Sequence, residues 1–223
     1  MTCSRYPFLP YYPQFTLSWG LKICTSLLLF ALCIPYSATP QEKNEKILAA
    51  REFQVRANEF FTKMAYDSSA AYFEMARVVW EKNGVWEEVI GCNNRVGDIL
   101  IRKGEFGPAL ACLNTSLKLG KEKLPPDHLR MGQTYKLLGF IHNYRQEYDR
   151  AIQYFRDELR IEKTSGKDEA EIPRCLYLLA SAYNSMGNYD DALKSIGEAL
   201  ELTRRKMLQD DIAMDLLVLA NIR

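Results

Sequence analysis

Histidine is scarce in this sequence: among 223 residues there are only two, His128 and His142. No serine or cysteine has a histidine placed by a recognisable elbow, so nucleophilic catalysis of that kind has no visible starting point. Gly-rich phosphate loops are missing too, as are CxxC pairs and other metal-ligand spacings. Nothing in the residue pattern calls for a cofactor or a metal. A surplus of one charge is also lacking, since 29 Lys and Arg against 28 Asp and Glu leave a formal +1. Such a chain has no long-range field toward nucleic acid, and nucleic acid is not expected as a partner. Beyond about residue 42, strand signals are absent as well.

The first 40 residues carry only Arg5 and Lys22 as charges, and Ile23 to Ile34 (ICTSLLLFALCI) is an uninterrupted apolar run. Twelve helical residues span about 18 Å, short of the ~30 Å hydrocarbon core of a bilayer. Residues 1–40 therefore read as a signal peptide or a short hydrophobic anchor, with Lys22 as positive flank and Ser37-Ala38 as small residues for cleavage. This segment offers a route to membrane association. The expected location is exported, periplasmic or secreted, or membrane-anchored, and cytoplasmic if the leader is not a signal. Cys3, Cys24 and Cys33 fall in the leader; Cys92, Cys112 and Cys175 remain and read as small buried residues of helices.

What the sequence has is a repeat. KMAYDSSAAYFEMA (63–76), KGEFGPALACLNTS (103–116), RQEYDRAIQYFRDE (145–158) and SMGNYDDALKSIGEA (185–199) share one pattern. An aromatic follows a turn (Tyr66, Phe106, Tyr148, Tyr189), at separations of 40, 42 and 41. A small residue comes three on (Ser69, Ala109, Ala151, Ala192), and a bulky apolar one four later (Phe73, Leu113, Phe155, Ile196). Twelve residues before each alanine stand Val96-Gly97, Leu138-Gly139 and Leu179-Ala180, with Leu100, His142 and Tyr183 one turn further on; the first copy has Arg56-Ala57 and Phe60 there. Small residues on both helices let the axes approach, and large ones fill the groove beside them. One copy cannot bury its apolar face, so the copies must stack.

These residues resemble the tetratricopeptide repeat, whose Leu-Gly, Tyr, Ala, Phe and Ala at fixed offsets are matched best by LLASAYNSMGNYDDALKSIGEAL (178–200). The resemblance covers about 50 to 223. The period exceeds the usual ~34 residues of the family and is similar to the longer variant of kinesin light chains and many bacterial signalling proteins. Its implied fold class is all-α, a right-handed α-α superhelix (TPR solenoid) of stacked antiparallel helix hairpins. The helical domain is expected over 41–223, with copies at about 50–88, 90–130, 132–171 and 173–211 and a partial fifth at 212–223. Pro125-Pro126-Asp127 is expected to end one helix and start the next. Glu158 and Ser116 depart from the pattern where a late alanine is usual. Leu219-Ala220 repeats Leu179-Ala180 after 40 residues on an apolar helix. That helix suggests the front of a longer protein, or self-association through the C-terminal helix.

The resemblance also implies a site. Helix residues not used for packing line the concave face of such proteins, where a peptide lies. Carried over by register, the peptide-binding groove consists of Arg51, Asn58, Asn94, Arg95, Asp98, Lys136, Asn143, Tyr144, Arg174, Tyr177, Ser181 and Asn184. Amides both donate and accept and can clamp a peptide backbone, while Arg51, Arg95, Lys136 and Arg174 can take carboxylates. For any one of them, an ordinary solvated residue is an equal alternative. His142 reads as a packed core residue and His128 as an exposed linker residue. The expected function is a non-enzymatic interaction scaffold for a protein or peptide partner. The alternative is the N-terminal regulatory region of a longer signalling protein, such as a sensor kinase, a helix-turn-helix regulator or a caspase-like peptidase.

Overall fold

The computed structural model describes residues 40–165, 171–206 and 216–221. The leader expectation for 1–40 therefore lies almost wholly outside the described residues. Thr39–Arg223 forms one unit of the chain. Its helices are α1 (Pro40–Thr62), α2 (Tyr66–Lys82), α3 (Trp86–Arg102), α4 (Phe106–Lys123), α5 (Leu129–Tyr144), α6 (Tyr148–Ser165), α7 (Glu171–Met186) and α8 (Tyr189–Lys206). Odd-numbered helices are the first of each hairpin (helix A), and even-numbered ones the second (helix B). Each packs mainly on its neighbours in sequence, and α3 also meets α5. Among the described residues there is no strand, and no helix is long and apolar enough to cross a membrane. Residues 216–221 are helical, with Val218 buried in the cluster formed by α6, α7 and α8 while Leu216 and Leu217 are exposed.

The helix-B sequences bury one stripe at i, i+4, i+7 and i+11, the spacing that keeps side chains on one face of a 3.6-residue helix. In α2 the stripe is Ser69, Phe73, Ala76 and Trp80; in α4 it is Ala109, Leu113, Ser116 and Gly120. In α8 it is Ala192, Ile196, Ala199 and Thr203. The same places in α6 hold Ala151, Phe155, Glu158 and Glu162, so half of that stripe is acidic yet buried. Helix A instead packs between its own helix B and that of the preceding hairpin, and α3, α5 and α7 bury residues on more than one face. At Gly97 and Gly139 helix B comes close to the backbone of helix A. A Cβ on Gly97 would lie 2.7 Å from Leu113, and one on Gly139 would lie 2.4 Å from the Phe155 ring.

Within a hairpin, the A–B turn is made by the backbone. Ala65, Glu105, Glu147 and Asn188 donate their N–H to the carbonyls of Phe60, Leu100, His142 and Tyr183 at 2.8 to 2.9 Å. This six-to-one bond follows a residue in the left-handed region, the Schellman arrangement that satisfies carbonyls at a helix end. The left-handed residues are Met64 (φ 58°), Gly104 (φ 76°), Gln146 (φ 62°) and Gly187 (φ 84°). Glycine adopts this region without Cβ strain, whereas Met64 and Gln146 do not. Met64→Gly and Gln146→Gly should therefore each stabilise the fold by about 0.5 to 1 kcal/mol, read as a higher midpoint in urea; an unchanged or lower midpoint would refute the strain.

The link from α4 to α5 departs from expectation. Asp127 is not the helix cap; its carboxylate pairs with Arg160 of α6. His128 caps α5, its Nδ1 accepting from the Arg130 N–H at 3.2 Å, and its Nε2 lies 3.6 Å from Glu87. His128 is thus half-buried rather than exposed. His142 is a core residue, with Nδ1 2.7 Å from Glu147 and its ring stacked on Tyr154.

Candidate functional site

Successive A helices are joined by polar rungs. Gln54 of α1 donates to Glu88 of α3 at 2.8 Å, and Arg95 of α3 donates back to Asn58 at 2.9 Å. Asn94 is 3% exposed: its Nδ2 donates to the Arg130 carbonyl at 3.0 Å, and its Oδ1 accepts from the Thr134 hydroxyl at 3.0 Å. The amide expected to clamp a peptide is therefore occupied in holding α3 to α5. Lys136 of α5 reaches Glu171 of α7 at 3.4 Å.

Between α3 and α5 lies a cavity of about 350 Å³, lined by Asn94, Arg95, Asp98, Arg102, Arg130, Gln133, Lys136, Leu137 and Phe140. It brings together four of the twelve expected residues: Asn94, Arg95, Asp98 and Lys136. Arg95 lies over the Phe61 ring at 4.3 Å, and burial pushes its pKa down although Asp98 opposes this. Asp98 is shared by Arg95 at 3.8 Å and Arg102 at 3.2 Å. Arg130 is held by Glu88 at 3.3 Å. Burial works against the charge of Lys136, but Glu158 and Glu171 more than offset it and raise its pKa. Glu158 of α6 lies 3.9 Å behind Lys136, and burial lifts its carboxyl to about 8 against the pull of Lys136.

The remaining expected residues lie outside this cavity. Arg51 and Asn58 are exposed on α1, and Tyr144 is exposed and stacked on Phe106 at 4.1 Å. Asn143 is half-buried, and its Oδ1 is buried without a hydrogen-bond partner. On α7, Arg174 pairs with Glu171 at 2.7 Å, and Tyr177, Ser181 and Asn184 are half-buried. Sequence reasoning missed Arg102, Arg130, Gln133, Leu137 and Phe140. Their signal was present. Gln133 stands 41 residues before Arg174, Phe140 stands 42 after Asp98, and Arg102 stands 42 before Tyr144. The same register that nominated their counterparts reaches these three.

A family model described as Tetratricopeptide repeat matches residues 89–164 and 130–205, together 117 of the 223 residues. The chain belongs to the tetratricopeptide repeat family. No curated protein sequence matches this repeat protein. Among solved structures it is similar to BtubC (BKLC) from P. vanneervenii, with TM-score 0.63 and 20% identity over 71% of this chain and 64% of that one. A Rap protein complexed with Competence and Sporulation Factor is similar at TM-score 0.63 and 16% identity, over 79% of this chain and 47% of that one. The kinesin light chain nearly identical TPR-like repeats of Podosopora anserina give 0.60 and 12%, over 78% and 92%. The repeat protein thus spans less than two thirds of the length of BtubC and of the Rap protein. At these identities the likeness concerns the fold, an all-α right-handed solenoid of stacked antiparallel hairpins.

Proposed function

We propose that this chain is a non-enzymatic interaction scaffold that holds a peptide or a segment of a partner protein along the face formed by α1, α3, α5 and α7. The cavity between α3 and α5 carries this reading. It is concave, its polar groups converge from two rigid helices, and Leu137 and Phe140 add apolar surface beside them, which is how peptide and ligand sites are commonly built. The Rap protein solved with Competence and Sporulation Factor supports the same use of a similar fold. Peptides recovered by display selection on the purified chain should perturb backbone amide NMR signals of α3 and α5. Perturbation confined to α4 and α6 would sink the reading. Export or anchoring through residues 1–40 belongs to this proposal and rests on the apolar run 23–34; sequencing the N-terminus of the protein purified from its own cells would reveal cleavage near Ala38.

A further inference from the structure

The joints between consecutive A helices obey one rule of register. Counted by the repeat separations of 40, 42 and 41, Gln54 of α1 corresponds to Asn94 of α3 and Lys136 of α5, and Leu48 of α1 corresponds to Glu88, Arg130 and Glu171 of α3, α5 and α7. Each rung runs from the first set to the second. Gln54 meets Glu88 at 2.8 Å, Asn94 meets the Arg130 carbonyl at 3.0 Å, and Lys136 meets Glu171 at 3.4 Å. One position thus reaches forward to the next hairpin, and the other receives from the hairpin before. All six residues of these rungs are polar.

Both ends of the series break that rule in the same way. Leu48 holds the receiving position of α1, is exposed, and has no helix A before it among the described residues. Leu217 stands 40 residues after Tyr177, itself 41 after Lys136, and so holds the forward position on helix 216–221. No described helix A follows it, and it is exposed, whereas Gln54, Asn94, Lys136 and Tyr177 are buried or half-buried. A second receiving position shows what a neighbour does. Val55 on α1 is 57% exposed, but Val218, the same residue type at the same register of the last helix, is 8% exposed in the cluster with α7 and α8. Terminal copies of a solenoid ordinarily turn a polar face outward. Here each end turns out aliphatic side chains instead.

We propose that copies of this chain stack head to tail, with Leu48 and Val55 of one copy against Leu217 of another, continuing between chains the A-to-A contact that joins hairpins within one. A second copy suits both faces at once. Where an internal rung sets polar group against polar group, the two ends set leucine against leucine at the matching register. The contact is heterologous, so it grows until a rotation closes a ring or continues as a filament. Stacking of this kind is independent of peptide binding, and it would lengthen the helix-A face from copy to copy.

Sedimentation equilibrium of the purified full chain tests the stacking, with Leu48→Asp and Leu217→Asp as variants. Both side chains are exposed, so circular dichroism should report an intact fold in each. The unmodified chain should show a mass that climbs past that of a dimer as its concentration rises. Each variant has one working end and one end blocked by a carboxylate set against leucine, so each alone should remain a monomer, with association weakened about a hundredfold or more. Mixed in equal amounts, the two should pair one to one through the intact end of each and grow no further. A monomeric unmodified chain, association that survives both substitutions, or a mixture that stays monomeric would overturn the proposal. So would either variant dimerising alone, since that requires two like ends to meet.

Discussion

Gly139→Ala lowers stability by about 2 kcal/mol, although alanine is the better helix former by ~1 kcal/mol. The added Cβ would lie 2.4, 2.6 and 2.9 Å from three carbons of the Phe155 ring. That ring is 1% exposed and also forms a T-shaped pair with Phe140 at 5.9 Å between centroids, so moving it disturbs a second contact. Overpacking of a buried ring costs up to ~3 kcal/mol and exceeds the helix-propensity gain. The fourth hairpin shows what the position requires, since Ala180 stands there opposite Ile196. The first hairpin has Ala57 in one cluster with Phe73, so helix separation, and not the ring alone, sets the tolerance. Urea denaturation should give the loss, and Phe155→Leu in the same background should recover part of it. Additive losses in the double variant would mean that the two residues do not meet.

The second large effect is the pH dependence of Glu158. Its folded-state carboxyl is raised to about 8 from an ordinary value of 4.5, first by burial. Between those values the folded chain holds a proton that the unfolded chain has released, so stability falls as pH rises. The contribution is complete below the unfolded value and lost by the time pH passes the folded one. Glu158→Gln removes this titration. Relative to the unmodified chain, the variant should gain up to ~1.4 kcal/mol per pH unit between about pH 5 and 8, several kcal/mol in all. Chemical denaturation at pH 5.5 and 8.5 measures the difference. Parallel loss in both proteins would show that Glu158 is already ionised in the folded state. Lys136 keeps Glu171 as a partner in the variant, so the substitution does not strand a buried charge.

The solenoid was legible in the sequence because its determinants are local and repeated. Tyr66, Phe106, Tyr148 and Tyr189 set the phase, and Ser69, Ala109, Ala151 and Ala192 are all fully buried against helix A. Glu158 was legible as a departure from pattern, but sequence says nothing of the dielectric around it. The groove was legible only in part. Register selects a face, yet it does not reveal which polar residues on that face bind one another across neighbouring helices. Asn94 therefore looked like a free amide, whereas Arg130 and Thr134 occupy it. Leu137 and Phe140 were not among the residues expected on that face, although a cavity wall needs apolar surface as much as charge.

The neighbour-only packing of these hairpins has a kinetic consequence. No helix among the described residues relies mainly on a distant part of the chain; α1 meets α2, α2 meets α3, and so on through α8. Bringing such partners together closes only short loops, and that entropy grows slowly with length. Chains of this kind reach the native state rapidly for their size, and the first structured pair need not be the same in every molecule. The hairpin of α5 and α6, with the tight Gly139–Phe155 contact, is then one of several interchangeable starting points, and a lesion there would redirect the order of assembly before it abolished it.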